Sequence, residues 1–102
     1  VLYNLLNNEI DEQTYLLGYN AKIIYKKLPK KVYGFVYRYR DINLIVINWN
    51  ISKEKKKMTI LHEFAHIELS HLDKKRNLLE FSIEDIEDEA DKYIKYILNN
   101  LD

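Results

Sequence analysis

The sequence of 102 residues contains no cysteine, one proline and two glycines. Without cysteine there are no disulfides and no thiolate metal site; such a chain suits a reducing compartment. So little proline and glycine leaves no flexible linker or low-complexity tract. Net charge is zero, which removes the uniform basic excess of a nonspecific nucleic-acid binder. No run approaches the roughly 18 apolar residues of a membrane span. No signal-peptide pattern opens the sequence, so a cytoplasmic location is expected. With 47% hydrophobic and 31% charged residues, the composition is that of a globular protein, and the length suits a single compact domain over residues 1–102.

The charge that is present is segregated. Residues 22–57 carry eleven Lys/Arg against Asp41 and Glu54, while residues 78–102 carry eight acids against Lys92 and Lys95. The basic half, rich in tyrosine, has the composition of a nucleic-acid surface. It contains no established nucleic-acid motif, and lysines of this kind also form solvated faces and protect strand edges. Direct nucleic-acid binding is therefore not expected.

Leu2, Leu5, Leu6, Ile10, Leu16 and Leu17 space as helical packing residues, with Gly18 and Asn20 as terminators. Lys22–Leu28 reads as a strand stopped by Pro29, and Val32–Arg40 as a second strand. Asp41-Ile42-Asn43 supplies a turn into a third, Leu44–Asn50, the last two forming an antiparallel hairpin. Ser52 is a helix N-cap, although Lys55 stands where a capping box would place an acid. Met58, Leu61, Ala65 and Leu69 then recur at helical spacing, to an end near His71–Asp73. A charged loop, 74–77, precedes Ser82, which is read as the N-cap of a last helix running to about Leu98. Ile83, Ile86, Ala90, Tyr93, Ile94, Ile97 and Leu101 make up its buried face. The expected fold is α+β: an N-terminal helical segment, a small three-stranded largely antiparallel sheet, and two further helices.

Within the first long helix stands His62-Glu63-Phe64-Ala65-His66, the pattern HExxH. Histidines four apart lie about 40° from each other on one helix face, so both imidazoles can reach one Zn²⁺. Glu63 is then placed to act as general base on a metal-activated water. A catalytic zinc needs three protein ligands. A histidine six residues beyond His66 would supply the third in the metzincin pattern, but Leu72 stands there, and His71 falls one residue short. The acidic run 84–91 offers a carboxylate from the last helix instead. On a helical wheel Glu84, Asp85 and Asp88 fall on the polar side, whereas Glu87 lies about 60° and Glu89 about 100° from the centre of the apolar face. Glu87 is the expected ligand and Glu89 the reserve, with Asp91 available to hydrogen-bond a ligand histidine. Zn²⁺ is the expected metal, although His and carboxylate donors accept other divalent ions. His71 is read either as an oxyanion stabiliser or as a helix-end histidine.

Residues Val32–Leu98 resemble the ImmA/IrrE family of bacterial and phage metallo-endopeptidases, HExxH zinc peptidases of the gluzincin type. The likeness rests on the hairpin with Gly34 in its first strand and Ile47-Asn48 ending its second, on the helix 58–71 with its trailing His71, and on Glu87-Asp88-Glu89-Ala90-Asp91, which matches a Glu-x-x-Ala-(Asp/Asn) element. Tyr93-Ile94 stand where the family has an aromatic followed by a small residue. The resemblance implies that Glu87 is a zinc ligand and that the substrate is a protein, a DNA-binding transcriptional repressor, with Leu44–Asn50 the expected edge strand for an extended substrate. The competing expectation is a metal-containing binding module that sequesters such a partner without cutting it; a base at position 63 argues for the enzyme.

Overall fold

The computed structural model describes residues 1–101. The N-terminal segment forms two short helices, α1 (Leu2–Leu6) and α2 (Glu12–Gly18), the second capped by Asp11, whose side chain accepts from the Thr14 amide. Three strands follow, β1 (Ala21–Lys26), β2 (Val32–Tyr39) and β3 (Ile42–Asn48). Then come helix α3 (Lys53–Leu72), strand β4 (Leu79–Ile83) and helix α4 (Glu89–Leu98). No helix among the described residues is long and apolar enough to cross a membrane.

The class is α+β, as expected, but the sheet has four strands in the order β1-β3-β2-β4. The β2–β3 hairpin is antiparallel and turns through Arg40 and Asp41, both at positive φ (48° and 66°). Such a two-residue turn matches the right-handed strand twist, so Ile42 and Asn43 already belong to β3 rather than to the turn. β1 pairs with β3 in parallel, from Ala21 opposite Asn43 to Lys26 opposite Asn48.

Three expectations are corrected. Leu44–Asn50 is not an edge: β3 is flanked by β1 and β2, and its residues from Val46 to Asn48 are all buried. A near-continuous apolar run is the mark of such an interior strand. The second correction concerns Ser82, which is not an N-cap. Leu79-Glu80-Phe81-Ser82-Ile83 alternates with the period of a strand and pairs antiparallel with β2, placing Ser82 opposite Gly34. Lastly, the last helix starts at Glu89, because Asp85 adopts φ 62° and breaks any helix running on from Ser82. Asp88 is its true N-cap. The Asp88 side chain takes the Ala90 and Asp91 amides, and the Asp91 side chain takes the Asp88 amide.

Helix α3 lies across the sheet on β2, β3 and β4. It is capped by Ser52, whose hydroxyl accepts from the Lys55 amide at 3.1 Å. Phe64, Ala65 and Ile67 enter a core shared with Val36, Ile45 and Ile47 of the sheet, with Leu2 and Tyr15, and with Ala90, Ile94 and Ile97 of α4. Gly34 permits the close approach. A Cβ there would stand 2.6 Å from the Val46 carbonyl oxygen and 3.0 Å from Cγ2 of Thr59, one turn before the HExxH residues.

Candidate metal centre

The residues of α3 that face β4 and α4 are polar yet buried: His62, Glu63 and His66 are 6%, 0% and 5% exposed. Their helix brings the two rings to 4.7 Å between centroids. Nε2 of His62 lies 2.8 Å from Oδ1 of Asp88, and Nε2 of His66 lies 2.9 Å from Oδ2 of the same carboxylate. Each of the three residues offers a donor atom within 4.8 Å of the others, a spread that one metal ion can draw together. Asp91 stands behind, with Oδ2 3.5 Å from Nε2 of His62.

Glu63 turns inward. Its Oε1 lies 3.0 Å from Nδ1 of His62 and accepts from the Ser82 hydroxyl at 2.8 Å; Ser82 also hydrogen-bonds Nδ1 of His62. Its Oε2 is buried with no hydrogen-bond partner among the described residues. Burial raises the pKa of Glu63 above the usual carboxylate range, against the lowering influence of His62, Ser82 and His66. For His62, burial by itself lowers the pKa, but the hydrogen bonds and charges of Glu63 and Asp88 outweigh it and push the imidazole up to about 9. Asp88 is the counterpart: burial raises it, and the contacts with His62 and His66 more than reverse this, so its pKa is lowered.

The donor set fits a divalent metal. Two imidazoles and a carboxylate are a catalytic zinc's three ligands. An unpartnered buried oxygen on Glu63 leaves an acceptor for a water that protein groups do not satisfy.

Of the expected site residues, His62, Glu63 and His66 are brought together and Glu87 is not. Glu87 is exposed, with its Oε1 3.0 Å from the Lys95 ammonium, although it lines the same cavity as His62. Glu89 is exposed and lies on the His66 side. His71 packs its ring 5.1 Å from that of Tyr19, apart from the cluster. On a helix beginning at Ser82, Asp88 falls on the polar side. With the start moved to Glu89, it becomes the residue that leads the chain past the histidines. The signal that marks it is local: Asp88 and Asp91 stand three apart, as the acids of a capping box do.

Cavities open on both sides of the cluster. The one beside His62, of about 620 Å³, is walled by Tyr33, Met58, Ile83, Ile86, Ile94 and Leu98. The one beside His66, of about 300 Å³, is lined by Arg38, Asp73, Lys75, Glu80 and Glu89 among others.

A mixed sheet under a helix that presents HExxH to an opposing carboxylate defines a metallopeptidase-like domain. The profile of the IrrE N-terminal-like domain family (Peptidase_M78) matches residues 18–93, most of the chain, and the protein belongs to that family. No curated protein and no solved structure matches the chain.

Proposed function

We propose that the protein is a zinc-dependent endopeptidase whose catalytic domain spans residues 1–102, acting in the cytoplasm on a protein substrate. The observation that carries this reading is the convergence of His62, His66 and Asp88 beside a buried Glu63 with a free oxygen. Zn²⁺ held there would supply Lewis-acid polarisation of a peptide carbonyl and a water of lowered pKa. Glu63 would act as general base, taking a proton from the attacking water at its unpartnered oxygen and returning it to the departing amine. A pKa raised by burial makes the carboxyl a better proton acceptor than an exposed glutamate. Asp91 takes the Asp88 amide at 3.0 Å and so helps hold in place the carboxylate that faces both histidines.

We take Asp88 as the third ligand, and Glu87, the carboxylate that the family resemblance implies, as its competitor. What favours a hearing for Glu87 is its weak restraint: the pair with Lys95 is solvent-exposed on both sides. Such pairs contribute about 0–1 kcal/mol.

The substrate strand is assigned to β4 rather than β3. Among the described strands β4 pairs only with β2, so its outer edge is free, and it carries Ser82 against His62. An extended peptide added there would run past the metal ligands. A DNA-binding repressor remains the proposed substrate, on the family resemblance. The test uses the repressor encoded nearest this gene. Wild-type protein with zinc should cut it, and a chelator should stop the reaction. Glu63→Gln should keep its zinc and lose cleavage by about 10²–10⁴-fold. A Glu63→Gln protein that cuts at the wild-type rate would overturn the mechanism.

A further inference from the structure

Ser82 is an unusual residue for its position. It is 6% exposed on the face of β4 that meets α3, where an apolar side chain would be ordinary. Its hydroxyl is used in both directions. It donates to Oε1 of Glu63 at 2.8 Å and hydrogen-bonds Nδ1 of His62. The backbone is shaped to bring it there. The β2–β4 pairing is irregular between Val32 and Gly34, and Gly34, directly opposite Ser82, lets α3 settle close to the sheet. Irregularities of this kind re-aim side chains beside active sites.

With Glu63 as a carboxylate, the acceptor in this cluster, the hydrogens of His62, Ser82 and Glu63 take the following arrangement. The Ser82 proton points to Oε1 of Glu63, and Nδ1–H of His62 faces both the Ser82 oxygen and Oε1 of Glu63, 3.0 Å away. A proton held on Nδ1 leaves Nε2 as the nitrogen that would give up its proton to a metal. Nε2 is the atom turned toward Asp88 and His66.

We propose that Ser82 is a positioning residue that, together with Glu63, holds the Nδ1 proton of His62 so that Nε2 is presented for metal binding, and that anchors Glu63 beside it, tying the edge strand β4 to both. The proposal rests on the reading of this cluster as a metal site. Ser82 does not touch the reacting atoms; it acts through His62 and Glu63. The strand offered to a peptide is thereby also the strand that orders the ligand and the base.

The test uses zinc alone, with affinity measured by competition against a chelating dye. Thr and Val at position 82 have the same shape and differ in the hydroxyl, so they isolate it from packing. Ser82→Val is expected to lower zinc affinity about tenfold, the low end of the effect of removing a ligand's hydrogen-bond partner. Ser82→Thr should hold it within about twofold of wild type, well inside that effect. The visible spectrum of the cobalt-loaded protein should be wild-type in Ser82→Thr and altered in Ser82→Val. Ser82→Ala, which adds no methyl group, should bind like Ser82→Val, and circular dichroism should show all three folded. Equal affinity in Ser82→Val, Ser82→Ala and wild type overturns the proposal. So does an equal loss in Thr and Val with Ala unaffected, which would make position 82 a matter of space. Wild-type protein that takes up no zinc overturns the metal-site reading itself, and the proposal with it.

Discussion

Helix α3 buries two glutamates, five residues apart, and treats them in opposite ways. Glu68, 4% exposed, has both oxygens occupied: Oε1 takes the Leu2 amide at 2.7 Å and the Tyr19 hydroxyl at 3.0 Å, and Oε2 takes the Tyr93 hydroxyl. Glu63, fully buried, has Ser82 and His62 on one oxygen and nothing on the other. Five residues of helix turn through about 140°, so the two carboxylates leave opposite flanks of α3. Burial raises both pKa values. At Glu68 the hydrogen bonds from Tyr93 and Leu2 win and the pKa falls; at Glu63 burial wins and the pKa rises. The first is a joint between helices α1, α2, α3 and α4. The second, the proposed base, is kept short of partners. Burial alone therefore does not mark a catalytic carboxylate; incomplete satisfaction does.

The largest effect that would sharpen this contrast concerns metal. Asp88→Asn keeps a good helix cap but removes the charged donor. Zinc affinity should fall by more than about 100-fold, beyond what loss of a ligand's hydrogen-bond partner costs. Glu87→Ala should bind nearly as wild type. If the two results are exchanged, the third ligand is Glu87.

Stability comes next. Glu68→Gln leaves the hydroxyls of Tyr19 and Tyr93 and the Leu2 amide with one neutral acceptor. Denaturant unfolding should show a loss of about 2 kcal/mol, as for hydrogen bonds to a charged group. Glu63→Gln should cost little, within about 0.5 kcal/mol, because it removes a buried charge and keeps an acceptor for Ser82. A large loss at Glu63 and none at Glu68 would reverse the roles assigned to them.

The smallest effect is in the pH dependence, and it has opposite signs. The folded pKa of Glu68 lies below the ordinary value of about 4.3. Its stabilisation is present above that value and is lost as pH falls through the folded pKa. Glu63 is raised, so what it contributes is complete below about 4.3 and is lost as pH rises through its folded pKa. In metal-free protein, the stability gap between wild type and Glu68→Gln should shrink on acidification. Glu63→Gln should gain on wild type as pH rises above about 4.3. Parallel curves for both variants would remove the distinction.

Much of this was legible in the chain, and the limit of legibility is itself physical. Helical periodicity places His62 and His66 on one face whatever surrounds them, because four residues of α-helix fix their separation. The β2–β3 hairpin is equally local. By contrast, the parallel pairing of β1 with β3 and the addition of β4 to β2 join segments far apart in sequence, and no short-range pattern encodes them. The five-residue alternation of β4 is short, and Ser82 with Asp85 three residues on imitates a helix cap. The start of α4 therefore lies about six residues beyond the one Ser82 suggests, and the acids from Glu84 to Asp88 stand outside the helix, where a helical wheel does not describe them.

By itself, then, the sequence determines the family and the candidate donor set: two histidines and a glutamate at helical spacing, with an acidic segment to follow. Which carboxylate meets the histidines, which strand borders them, and that Ser82 binds Glu63 and His62 are decided only by the tertiary structure. Neighbouring acids are chemically alike, and only the path of the backbone between β4 and α4 tells them apart.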